Sequence, residues 1–93
     1  SPCSGCMKQS GADQAFGEVL RDLRKGAGVT QETLALDAGL DRTFISMLER
    51  GHRQPTLQTL LTLARCLGVP ASEIVARVEM RIAQAASGSA AQV

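Results

Sequence analysis

The fold is decided by residues Val29–Gly51, which read VTQETLALDAGLDRTFISMLERG and contain two short helical patterns with a tight turn between them. Thr30 is placed to cap the first helix at its N-terminus. Gly39 ends that helix, because a residue without a Cβ adopts the left-handed conformation at least cost. Asp41 is placed as the N-cap of the second helix, which ends at Gly51. A helix, a turn that contains glycine and a second helix are typical of a helix-turn-helix unit.

The second helix of this segment has two chemically different faces. At about 100° per residue, Ile45 and Leu48 point to the same side and predict a core-facing stripe. The outer face carries hydroxyl groups, a thioether and arginines: Arg42, Thr43, Ser46, Met47 and Arg50. Such groups can read base edges or hold phosphates. The same spacing fits a solvated face on a small helical bundle, because helix-turn-helix pairs also occur as packing units.

Three more helical patterns flank this segment. Apolar residues at i, i+3, i+4 and i+7 predict a first helix over residues 13–27. A fourth helix begins after Thr56 and ends at a glycine, and a fifth runs from roughly Ala71 to Ala85. The sequence therefore predicts an all-α fold, a five-helix bundle.

The predicted bundle occupies residues 13–85, and the remaining residues lack helical periodicity. We expect residues 1–12 to form a flexible N-terminal segment and residues 86–93 to form a frayed tail. Because Met7 and the lysine after it resemble a natural start, we expect Ser1–Cys6 to be an addition to the native chain. A chain of 93 residues makes one small domain, so dimerisation would help its stability.

Charge and aromatic content limit the kinds of nucleic acid that the chain can bind. Phe16 and Phe44 are the only aromatic residues, which argues against a stacking platform for single strands. The net charge of +1 is not the strong basic excess of a general nucleic-acid binder. Residues 42–53, however, contain three arginines and one acid, Glu49. A net charge near zero, combined with a local cluster of arginines, is typical of a protein that binds a specific DNA site and has weak affinity for other DNA.

The segment strongly resembles the helix-turn-helix of the Cro and phage-repressor type, also called the xenobiotic-response-element family. The resemblance spans roughly Ala15 to Ile74 and is carried by Thr30-Gln31-Glu32, Leu34-Ala35, Gly39-Leu40, Ile45-Ser46, Leu48-Glu49, Gly51, Arg53, Pro55-Thr56-Leu57 and Leu67-Gly68-Val69. The run from Leu40 to Ser46, followed by Glu49-Arg50, is similar to restriction–modification controller proteins within that family. The resemblance implies a bundle of the lambda-repressor-like DNA-binding type. It also implies a transcriptional regulator that binds double-stranded DNA sequence-specifically, as a homodimer on a palindromic operator.

The outer face and the resemblance together assign roles to individual residues. The residues expected to read bases are Arg42, Thr43, Ser46 and Met47. The residues expected to hold phosphates are Gln31, Arg50 and Arg53. In the family the glutamine at this place binds a backbone phosphate, and helix N-termini favour anions. Controller proteins resemble this sequence in having an aromatic at Phe44, which implies a contact with a sugar or a thymine methyl; a position at the edge of the core fits equally well.

The fifth helix carries an apolar stripe that exceeds what a core of this size requires. We expect a dimer interface formed by Ile74, Val75, Val78 and Ile82, some of which must also pack inward. A rival interpretation is an antitoxin or another protein-interaction module that uses this helix to grip a partner protein.

No pattern in the sequence indicates an enzyme, a cofactor or a small-molecule ligand. Cys3 and Cys6 form a C-x-x-C pair, which is half of a zinc ribbon or a redox motif. No second pair follows and the only histidine is His52, so we expect no metal site. Cysteines without a secretory context, and no apolar run of roughly 18 residues, predict a soluble cytoplasmic protein with no membrane partner.

Overall fold

Five α-helices make up the computed structural model, which describes the backbone of residues 10–91 and the side chains of residues 11–84. The helices are α1 (Ser10–Ala27), α2 (Gln31–Ala38), α3 (Arg42–Glu49), α4 (Leu57–Leu67) and α5 (Ala71–Ala91). No strand occurs in this part of the chain. The prediction of an all-α fold with five helices is confirmed.

Local capping explains where the short helices begin and end. The Thr30 hydroxyl accepts a hydrogen bond from the Thr33 backbone N–H at 3.0 Å, and Gly39 closes α2 with a φ of 70°. Thr56 caps α4 through the backbone N–H three residues later, at 3.1 Å. Asp41 occupies the N-cap position of α3, but its side chain makes no capping hydrogen bond. Packing, rather than a capping side chain, therefore holds the start of α3.

The first and last helices are longer than the sequence predicts. α1 begins at Ser10 and not at Asp13, so the end of the segment expected to be flexible is helical. α5 continues to Ala91 and not to Ala85, so most of the expected tail is also helical. The predicted ends followed the apolar stripes, whereas the helices continue through residues 10–12 and 86–91, which carry no such stripe. The C-x-x-C motif lies outside the described residues.

All five helices contribute to one hydrophobic core. The side chains with almost no exposure are Leu20, Leu34, Ile45, Leu48, Leu63 and Ile74. Cys66 is half-buried and packs against this core. Burial and the negative charge of Asp37 raise the pKa of the Cys66 thiol, which favours its protonated form at neutral pH.

The backbones of α1 and α3 touch at Gly17. A Cβ atom on this residue would lie 2.5 Å from the backbone oxygens of both Leu48 and Glu49. No side chain fits at that distance, so glycine is the residue that lets the two helices approach so closely. The contact fixes the C-terminal end of α3 against α1.

Candidate nucleic-acid interface

The orientation of α3 follows from its two core residues. Ile45 and Leu48 are both fully buried, so the opposite side of the helix must face outward. Arg42 and Thr43 are exposed at the first turn, and Ser46 is half-buried one turn later. The face predicted from the sequence is therefore the face that the fold presents.

Two adjoining surface depressions cover this face and share Thr43. One is lined by Arg42, Thr43, Ser46 and Arg50. The other is lined by Thr43, Phe44, Met47, Arg53 and the turn between α2 and α3. Seven of the residues predicted to contact DNA thus form one continuous area, which we call the α3 outer surface. Gln31, the remaining one, lies at the start of α2.

Two hydrogen bonds join Arg50 and Ser46 within the α3 outer surface. The Nη2 of Arg50 donates to the Ser46 hydroxyl oxygen at 2.9 Å, and its Nε donates to the same oxygen at 3.3 Å. The arginine therefore lies along the helix, beside a residue predicted to read bases. Because the hydroxyl oxygen is the acceptor, the hydroxyl proton of Ser46 remains available for another acceptor.

Phe44 combines the two positions that the sequence left open. Its ring is half-buried and packs against the hydrophobic core. It also lines the depression that contains Met47 and Arg53. A core-edge position and a surface contact are therefore compatible for this residue.

The arginines of the α3 outer surface are not neutralised by acids. Among the described side chains, Arg42, Arg50 and Arg53 take part in no ion pair. Glu49, the one acid in this stretch of sequence, is paired with Arg24 instead. Uncompensated arginines on an exposed face attract phosphates, which supply most of the affinity of a protein for DNA.

Behind this surface lies a half-buried polar cluster of Arg24, Gln31 and Glu49, which we call the Glu49 cluster. The Nε of Arg24 lies 2.5 Å from Oε2 of Glu49, and its Nη2 donates to Oε1 at 3.2 Å. The Nε2 of Gln31 donates to the same Oε1 at 3.0 Å. The side chains of Arg24 and Glu49 are only 12% and 5% exposed. Arg24 is therefore neither a solvated surface cation nor a side chain that is free to contact a phosphate.

The sequence did contain a signal for the buried position of Glu49. Glu49 follows Ile45 by four residues, so the two side chains share one face of α3. A carboxylate on a core-facing side requires a buried partner, because an unpaired charge is costly there. The partner Arg24 could not be identified from sequence, because it lies 25 residues away in another helix.

The predicted interface stripe on α5 is divided between the core and the surface. Ile74 is completely buried, so its assignment to a dimer interface is corrected: α5 must supply a side chain that closes the core. Val78 is half-buried and packs against the same core. Val75 and Ile82 remain 42% and 40% exposed and are the members of the stripe that a partner could cover.

Within the described residues, no group of three histidine, cysteine or acidic side chains could hold a metal ion. No single helix in the same range is long and apolar enough to cross a membrane. α4 and the start of α5 reach that length only as a pair, with a bend of 104° between them.

Comparisons with known proteins match this sequence and this fold. The sequence model of the helix-turn-helix family matches residues 20–74. An uncharacterised HTH-type transcriptional regulator of Sinorhizobium fredii, y4dJ, is 45% identical over 53 residues, which are 57% of this chain and 69% of that protein. The crystal structure of the restriction-modification controller protein C.AhdI from Aeromonas hydrophila shares 43% identity and a TM-score of 0.64 over 66% of this chain and 92% of that one. The controller protein C.Esp1396I, solved as a tetramer with its natural 35-base-pair operator, shares 31% identity and a TM-score of 0.69 over 76% of this chain and 93% of that one.

The chain belongs to the Cro/C1-type helix-turn-helix family of transcriptional regulators, because the family model covers more than half of its length. The family resemblance inferred from the sequence is confirmed. The narrower similarity to restriction–modification controller proteins is confirmed as well, since such proteins are among its relatives. The relatives named above are regulators rather than enzymes.

Proposed function

We propose that this chain is a cytoplasmic, sequence-specific regulator that binds double-stranded DNA as a homodimer on a palindromic operator, without a cofactor. The observation that carries the proposal is the α3 outer surface, which combines hydroxyl groups with three arginines that form no ion pair among the described side chains. A helix of this width fits the major groove of B-form DNA, where each base pair presents a distinct pattern of donors and acceptors. The operator complex of the related C.Esp1396I supports the same use of the fold here.

In the proposed complex the N-terminal end of α3 enters the major groove first. Arg42 pairs its two donors with the O6 and N7 atoms of a guanine, the commonest specific contact in such interfaces. Thr43 reads a neighbouring base, and Ser46 and Met47 contact bases deeper along the helix. Phe44, from the adjoining depression, packs against a sugar or a thymine methyl.

The phosphate contacts surround this reading face. Arg50 and Arg53 follow the end of α3 and reach the DNA backbone on one side. Gln31 lies at the N-terminus of α2, where free backbone N–H groups and the helix dipole favour an anion. Together these contacts fix the register of α3 in the groove, while the base contacts specify the sequence.

A single reading helix contacts too few base pairs to select one site in a genome. Two copies related by a two-fold axis read two half-sites, about 34 Å apart or a multiple of it. Val75 and Ile82, with the exposed side of Val78, are the proposed contact between the copies. The exposed part of this stripe lies outside the α3 outer surface, so a partner there leaves the reading face free.

The test starts with selection of duplexes from a random pool by the purified protein. The selected site should bind at least about 10³-fold more tightly than random DNA, and both affinities should fall steeply with salt. Arg77→Ala is the matched control, because Arg77 pairs with Glu73 on the exposed side of α5 and not with DNA in this proposal. If no sequence is enriched and the protein instead co-purifies with a partner protein, the antitoxin interpretation replaces this one.

A further inference from the structure

The Glu49 cluster ties together the three helices nearest to the proposed DNA interface. Glu49 is the last residue of α3, Gln31 is the first residue of α2, and Arg24 belongs to α1. Arg24 also donates from Nη1 to the backbone oxygen of Val29 at 2.9 Å, just before the residue that caps α2. One carboxylate therefore connects the end of the reading helix to the first residue of the helix before it.

Stability alone does not account for charged residues at this place. A buried ion pair loses as much in desolvation as it gains in attraction, and apolar residues of similar volume commonly replace it without loss of stability. Neither Arg24 nor Glu49 lines the depressions of the α3 outer surface, so neither is placed to contact a base. What the carboxylate supplies, and a leucine could not, is a fixed acceptor for the amide of Gln31.

We propose that Glu49 is a positioning residue that orients Gln31 for its phosphate contact, an inference that rests on the DNA-binding function proposed above. The side-chain amide of glutamine has two N–H donors. Glu49 accepts one of them, which restricts the side chain to one orientation. Among the described side chains the other donor has no acceptor, and it is the one that binds the phosphate.

Arg24 makes this arrangement compatible with DNA. An unpaired carboxylate next to a phosphate-binding amide would repel the phosphate, because the low dielectric of a buried site strengthens the interaction. Arg24 contacts both oxygens of Glu49 and cancels that charge. Its hydrogen bond to Val29 additionally holds the beginning of α2, and therefore Gln31, at a fixed distance from α3.

Two paired substitutions test the proposal without leaving a buried charge unpaired. The leucine pair, Arg24→Leu with Glu49→Leu, removes the acceptor; the glutamine pair, Arg24→Leu with Glu49→Gln, keeps a carbonyl acceptor for Gln31. The readout is ethylation interference on the selected duplex, which identifies each contacted phosphate. Gln31→Ala first identifies the phosphate that Gln31 binds. The leucine pair should lose the contact with that phosphate and bind the duplex about tenfold more weakly than the wild type. The glutamine pair should keep the contact and bind within about threefold of the wild type.

The contrary outcomes are distinct. If the leucine pair keeps the Gln31 phosphate in its footprint, Glu49 does not position Gln31. If the wild type selects DNA but Gln31→Ala loses no phosphate, the positioning proposal fails while DNA binding stands. If the wild type selects no DNA, the proposed function itself fails.

A measurement on the unmodified protein covers the case in which a paired variant does not fold. The side-chain amide nitrogen of Gln31 should be rigid before DNA is added, with an NMR order parameter near the value of about 0.85 found for ordered backbone. A value below about 0.6, typical of flexible groups, would contradict the proposal.

Discussion

Gly17→Ala should destabilise the protein although alanine is the better helix former. The added Cβ would lie 2.5 Å from two backbone oxygens of α3, whereas ordinary contacts begin at 3.4 Å. The two backbones must therefore separate by about 0.9 Å, and overpacking of this kind costs roughly 1–3 kcal/mol. The higher helix propensity of alanine, compared with glycine, offsets roughly 0.5–1 kcal/mol of this cost. At the midpoints of these two ranges the net loss in the free energy of unfolding is about 1 kcal/mol, which corresponds to a melting temperature roughly 4–8 °C lower for a domain of this size.

Gly26→Ala is the matched control, because Gly26 lies in the same helix and a Cβ there meets no atom within 4 Å. The free energy of unfolding of that variant should be about 0.4–1 kcal/mol higher than that of the wild type, and its melting temperature slightly higher. Both melting temperatures are measured by circular dichroism at equal protein concentration. If Gly17→Ala melts at or above the wild type, the backbones of α1 and α3 are not in contact in solution, and the reasoning about this crossing is refuted.

Three further predictions concern the interface. Arg42→Ala should weaken the binding free energy for the selected site by roughly 1–3 kcal/mol and reduce the sequence preference at one base pair, as measured by competition with single-base variants of the site. An equal loss of affinity for random DNA would argue against base reading. Arg53→Ala should weaken binding to all sequences alike and reduce the log–log salt slope by about 0.9, and an unchanged slope would exclude a phosphate contact. Val75→Glu should be monomeric in analytical ultracentrifugation and keep its helical circular dichroism, because a carboxylate in the dimer interface would be buried without a partner. The control Met80→Glu, about 140° away around α5, should stay dimeric. If the Val75→Glu protein is dimeric, the dimer contact lies elsewhere.

Local features of the fold could be predicted because the information for them is local. The hydroxyl at Thr30 and the glycine at Gly39 act on residues within one helical turn, so a short sequence window identifies both. The faces of α3 follow from the spacing of Ile45 and Leu48 in the same way. The family resemblance then gives these local elements their arrangement in space.

The features that escaped prediction are contacts between distant parts of the chain. Gly17 gives no periodic signal, because its importance comes from the α3 backbone that lies against it. Arg24 has the sequence pattern of a surface residue, and only the packing of α1 against α3 buries it beside Glu49. Ile74 belongs to the apolar stripe of α5, and the sequence does not indicate which residues of that stripe are buried. Their burial depends on the angle at which α5 packs against the other helices.

The hydrogen bonds between Arg50 and Ser46 bear on any attempt to redesign the DNA sequence that this surface recognises. Removing the Ser46 hydroxyl frees two donors of Arg50, so a substitution at the serine changes two side chains at once. Contacts that share a partner are not additive. A DNA sequence preference measured for variants of Ser46 therefore does not hold when Arg50 is also changed, and the reverse is equally true. A library of variants selected against new operators has to vary both residues together.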